Sequence, residues 1–72
     1  MRLKITEKGK EAFNNIRDLA EYDRYGLTQD EWMYLGYLMK ESPDTSRIVT
    51  EYGTTGTRIF NKFVRKGYAK EV

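Results

Sequence analysis

The chain contains no cysteine, no histidine and only one proline. Without cysteine, neither a disulfide nor a thiolate metal site can staple the fold. Without histidine, the usual general base and the commonest metal ligand are both missing. No run of apolar residues is long enough to span a bilayer, and the opening Met1-Arg2-Leu3-Lys4-Ile5 lacks the apolar stretch of a secretion signal. These absences predict a cytoplasmic protein with no metal, no cofactor and no membrane partner. The 72 residues predict a single domain over 1–72, near the size at which one core is only just sufficient. There is no internal repeat, linker or low-complexity stretch.

Catalytic patterns are equally scarce. Glu7/Glu11, Asp18/Glu21 and Asp30/Glu31 are paired carboxylates, but they fall on predicted helix surfaces with no partner base. Gly53-Thr54-Thr55-Gly56-Thr57 is rich in glycine yet lacks the Gly-Lys-Ser/Thr ending of a phosphate-binding loop. No enzymatic activity is expected.

What is present is a segregated charge. Residues 1–17 carry a net +3, residues 18–51 a net −5, and residues 52–72 a net +4, within an overall +2. A fold that joins the two ends would gather one positive face, the electrostatic footprint of a nucleic-acid binder. The alternative is solubility charge that happens to be separated along the chain.

The apolar spacing gives the elements. Leu3 and Ile5 alternate with Arg2 and Lys4, the period of a half-buried strand. Thr6 offers a helix cap, and Ala12, Phe13, Ile16, Leu19 and Ala20 draw one stripe on a helix running to about residues 22–25. Gly26 stops it, with Leu27 folding back. Thr28-Gln29-Asp30-Glu31 is a capping box opening a second helix, with Trp32, Leu35, Leu38 and Met39 on one face and Pro43 as its end. A short third helix is predicted after Asp44-Thr45-Ser46, with Ile48, Val49 and Tyr52 inward, broken by Gly53. Thr54 or Thr55 then caps a fourth helix with Ile59, Phe60, Phe63 and Val64 inward, ended by Gly67. Tyr68–Val72 suits a strand that pairs with Met1–Ile5. Trp32, Leu35, Ile48, Ile59 and Phe63 are expected to converge in the core. Most of the tyrosines at 22, 25, 34, 37, 52 and 68 are expected at its edge. The predicted fold is mainly α with a small two-stranded antiparallel sheet, in the order β-α-α-α-α-β.

Two short helices joined through Gly53 read as a helix-turn-helix. The outward side of the second carries base-reading chemistry. Arg58 can pair with guanine and Asn61 with adenine through major-groove edges. Lys62, Arg65 and Lys66 suit phosphates, which set register and affinity rather than sequence. Thr54, Thr55 and Thr57 crowd the helix start, where hydroxyls and free amides meet a phosphate oxygen, and Gly56 is expected to admit close approach of DNA. No acidic residue occurs between Tyr52 and Lys70. Arg2, Lys4 and Lys70 on the paired ends would touch neighbouring phosphates or the minor groove.

From Leu27-Thr28-Gln29-Asp30-Glu31-Trp32 through Thr57-Arg58 to Phe63-Val64-Arg65-Lys66-Gly67-Tyr68-Ala69, the chain resembles the DNA-binding lobe of MarR-type winged-helix regulators. In that family the last wing strand runs into Leu-Thr-Glu-Lys-Gly and an apolar helix. Here Lys4-Ile5-Thr6-Glu7-Lys8-Gly9 stands at the beginning instead, as in a family order circularly permuted at the wing tip. The resemblance implies a winged helix-turn-helix in which residues 68–72 are the outgoing wing strand and 1–5 the returning one. It implies double-stranded DNA as partner, read by a recognition helix of about residues 55–66, in a transcriptional regulator or a mobile-element protein. The family's terminal dimerisation helices are not matched, so neither its dimer nor its effector pocket carries over; a homodimer stays open. The alternative function is a winged-helix module that grips another protein without binding DNA, favoured by the modest net charge and the tyrosines.

Overall fold

In the computed structural model, residues 1–40, 42 and 44–72 are described, Leu19 by its backbone alone. The elements run β1 (Arg2–Ile5), α1 (Glu7–Asn15), α2 (Leu19–Tyr25), α3 (Gln29–Met39), β2 (Arg47–Ile48), a 3-10 turn (Val49–Tyr52), α4 (Gly53–Lys66) and β3 (Ala69–Glu71). The fold is mainly helical with a small antiparallel sheet, and the two ends of the chain pair as expected. Leu3 lies opposite Glu71, Lys4 opposite Lys70 and Ile5 opposite Ala69. The Thr6 N–H donates to Tyr68 O (3.0 Å) and the Val72 N–H to Arg2 O (3.1 Å), extending the ladder at both ends.

The sheet has three strands rather than two. β1 is its centre, and β2 pairs with the other edge of β1 through Arg2 opposite Ile48 and Leu3 opposite Arg47. A terminal hairpin leaves one row of β1 amides and carbonyls unpaired, and the adjacent β-branched Ile48 and Val49 suit extended backbone. The Val49 N–H donates to Met1 O at 3.0 Å, continuing that pairing. The expected third helix is therefore replaced by a two-residue strand and a single 3-10 turn. Ile48 consequently points out of the core at 37% exposure, whereas Val49 is buried as expected.

The first helix is divided. Thr6 caps α1 through the Gly9 N–H (3.1 Å), but helical geometry stops at Asn15, with Ile16 extended and buried. Asn14 and Asn15 are weak helix formers. Asp18 then takes the Ala20 and Glu21 N–H groups (3.0 and 3.3 Å) and starts α2 as a separate element. Gly26 ends α2 in the left-handed conformation, and Leu27 is buried with its N–H on Tyr22 O.

α3 opens with both halves of its capping box. The Glu31 N–H donates to Thr28 Oγ1 (3.2 Å) and the Thr28 N–H to Glu31 Oε1 (2.8 Å). The expected stop at Pro43 lies outside the described residues. At α4, the expected caps Thr54 and Thr55 both lie in the first turn with exposed side chains, and no side chain caps the start. The cause is Gly53, whose φ of +75° turns the chain from the 3-10 turn directly into α4.

Leu3, Ile5, Ala12, Leu35, Leu38, Val49, Phe60 and Phe63 form the dry centre, with Ile59 beside them. Of the five residues expected to converge, Leu35, Ile59 and Phe63 do. Trp32 sits at the rim, stacked on Phe13 at 5.0 Å with its Nε1–H donating to Phe13 O (3.2 Å). Val64 is 40% exposed, because the inward face of α4 is already filled by Phe60 and Phe63. Tyr22, Tyr25, Tyr34 and Tyr52 pack against this centre, and the buried Tyr68 donates its hydroxyl to Tyr25 O (2.9 Å).

Candidate functional site

The apolar side of α4 is held by Ile59, Phe60 and Phe63, so its opposite side must face solvent. Thr54, Thr57, Arg58, Asn61 and Arg65 recur there at three- and four-residue steps and line one open groove with Thr50 and Gly53. Arg58, Asn61 and Arg65 are exposed, and none of the three makes an ion pair or side-chain hydrogen bond among the described residues. Among the described residues no acidic side chain lines this groove. Thr57 donates its hydroxyl proton to Gly53 O (2.8 Å), which leaves the oxygen able only to accept from an outside group. Thr55 lies on the other flank, in a second groove with Arg58, Asp30, Met33, Tyr34 and Tyr37. Arg58 stands on the ridge between the two grooves.

The lysines of α4 are placed differently from the arginines. Lys62 is not free for phosphate, as the sequence suggested, because its Nζ lies 2.6 Å from Glu31 Oε2. Glu31 is 8% exposed, whereas the Lys62 side chain keeps 32% of its surface, so the acid is the more withdrawn of the two partners. Burial raises the Glu31 pKa, but hydrogen bonds from Lys62 and Thr28 and the lysine charge outweigh it, and the carboxyl is held below its usual 4.5. Lys66 is half-buried, its Nζ only 2.6 Å from where a Cβ on Gly26 would stand. That places a cation at the carboxyl end of α2, where the helix dipole favours it.

Gly56 does not offer the backbone to an outside molecule. It is buried, and a Cβ there would collide with Tyr52 Cβ and stand 3.3 Å from Tyr34 Cε1. The glycine lets α4 pack closely on the 3-10 turn, which is an internal requirement.

On the sheet, Lys4 and Lys70 are directly opposed and share its outer side with Arg2. Arg2 is exposed and donates to Ser46 Oγ (3.4 Å), while Lys4 is 4.0 Å from Asp44 Oδ1 and Lys10 3.8 Å from the same oxygen. Of the eleven expected contact residues, Lys62 is paired with Glu31, Lys66 is half-buried beside Gly26, Thr57 donates to Gly53 O, and Arg2 and Lys4 find Ser46 and Asp44. Thr50 and Gly53 line the main groove and were missed by the sequence reading. They belong to it only because the 3-10 turn runs straight into α4, which no residue pattern announces.

Among the described residues no group of histidine, cysteine or acidic side chains could hold a metal ion, and no helix is long and apolar enough to cross a membrane. Compared with known proteins, the chain matches no family model, no curated protein and no solved structure.

Proposed function

We propose that the chain is a winged helix-turn-helix domain that binds double-stranded DNA sequence-specifically, with α4 in the major groove. In this reading it acts in the cytoplasm as a small regulator or mobile-element protein and catalyses nothing. β3 and β1 are the two wing strands of a permuted MarR-like order, and the 3-10 turn with α4 is an abbreviated helix-turn-helix. The observation that carries the reading is the exposed strip of Arg58, Asn61 and Arg65, whose shared groove has no acidic lining among the described residues and which is anchored from behind by Phe60 and Phe63. Arg58 and Asn61 have the donor and acceptor sets for guanine and adenine edges. Arg65, one turn beyond Asn61, reaches for the phosphates, and Arg2, Lys4 and Lys70 supply further positive charge from the sheet.

An NMR titration with mixed-sequence duplex DNA at low salt tests this. Shifts should gather at residues 54, 57, 58, 61 and 65, and Arg58→Ala should cost roughly 1–3 kcal/mol on a preferred site while relaxing the choice at one position. No response to duplex DNA would overturn the reading. Shifts centred instead on Met33, Tyr34 and Tyr37 in a cell-extract titration would favour the protein-gripping alternative, since an exposed methionine and two ring faces line that second groove.

A further inference from the structure

Lys62 follows Arg58 by one turn of α4 and would, if free, add a third cation to the α3 side of the recognition strip. It is instead drawn to Glu31 at 2.6 Å. Glu31 is unusually well fixed for this. Its backbone N–H and its Oε1 are both engaged with Thr28, so only Oε2 remains, and that oxygen takes the lysine. Asp30, the adjacent acid in the same first turn, makes no ion pair among the described residues. We infer that Glu31 is a specificity-determining residue: it sequesters Lys62 from nucleic acid, leaving a recognition strip whose only cations are Arg58 and Arg65.

The inference rests on the DNA-binding reading above and deepens it. Releasing the lysine to an approaching phosphate would leave a carboxylate that is 8% exposed charged, with only the Thr28 N–H as its partner. A phosphate interaction at the surface, screened by salt, does not offset that cost. The lysine therefore stays with Glu31 when DNA binds. Phosphate contacts raise affinity for every sequence alike, whereas base contacts discriminate. Removing one general cation lowers the background of non-specific binding and leaves the base-reading Arg58 and Asn61 as the larger share of the interface. The capping box supplies the rigidity, because the residue that closes it is also the counter-ion.

The test measures duplex affinity by fluorescence anisotropy between 50 and 200 mM salt, a range over which counterion release dominates. Glu31→Gln keeps an oxygen for the Thr28 N–H but loses the charge that holds Lys62. It should bind mixed-sequence duplex more tightly, with a log–log salt slope steeper by about 0.9, the increment for one more phosphate contact. Asp30→Asn makes the same change in net charge one residue away and should leave the slope nearly as it was. Lys62→Met should match the wild-type slope, and Glu31→Gln with Lys62→Met should return to it. A shallower slope for Lys62→Met, or a Glu31→Gln slope equal to that of Asp30→Asn, overturns the inference. Should Glu31→Gln fail to fold by circular dichroism, the Lys62→Met slope still decides. If the wild-type chain shows no salt-dependent duplex binding, the DNA reading falls and takes this inference with it. Binding that weakens in Arg58→Ala while Lys62→Met is shallower removes the inference alone.

Discussion

Single residues in this chain often serve two demands at once, and substitution separates them. Thr6 caps α1 through the Gly9 amide and also donates its hydroxyl to Gly67 O (2.6 Å), tying the start of α1 to the end of α4. Gly56 is a clearer case. In an ordinary helix interior, replacing glycine by alanine is favourable by about 1 kcal/mol. Here the new methyl would meet Tyr52 and Tyr34, so close packing opposes propensity. Gly56→Ala should lower stability by about 1–3 kcal/mol, the usual cost of overpacking, read as a drop in the urea midpoint with an unchanged slope. A stabilised variant would show that the 3-10 turn yields to α4 without strain. The sequence allowed for a close approach at Gly56 but misidentified what approaches, because glycine reports room for a neighbour and not the neighbour's identity.

At the scale of elements, local hydrogen-bonding chemistry was readable wherever a side chain caps its own helix. The Thr6 cap, the Thr28–Glu31 box and the stops at Gly26 and Gly67 are all where short-range chemistry puts them. The misreadings arose where two elements compete for one segment. The apolar stripe from Ala12 to Ala20 is continuous on a helical wheel, yet Asp18 divides it by capping a new helix. Asp18→Ala should therefore cost about 1 kcal/mol, the typical value of a lost cap. Amide exchange should rise first at Ala20 and Glu21, whose N–H groups it holds. Retained protection at those two amides, with unchanged stability, would show that packing alone starts α2. The segment around Ile48 was misread for a related reason. Its residues suit either helix or strand, and the choice falls to the unpaired edge of β1, some forty-five residues away in the chain.

For the whole molecule, the decisive contact is between the two ends. β1 lies between β2 and β3, so the first residues of the chain join the last ones and the segment ahead of α4 in one sheet. Phe60 and Phe63 pack beneath it, fully buried, with ring centroids 5.8 Å apart. A domain of this size has about 4–11 kcal/mol of stability in all. Phe63→Ala, at about 3–5 kcal/mol for a buried phenylalanine, should leave the chain largely unfolded at moderate temperature. A melting temperature unchanged from wild type would mean that Phe63 does not anchor α4. By itself the sequence determined what depends on neighbours within a few residues: caps, helix stops, the amphipathic face of α4, and the alternation that marks β1. Tertiary structure alone decided the third strand, the exposure of Ile48, and the fate of the cations on α4. Charge along a chain does not reveal which partner a flexible side chain will find. Lys62 and Arg65 read alike in sequence, and only the packing of α3 on α4 puts a buried carboxylate within reach of one and leaves the other in water.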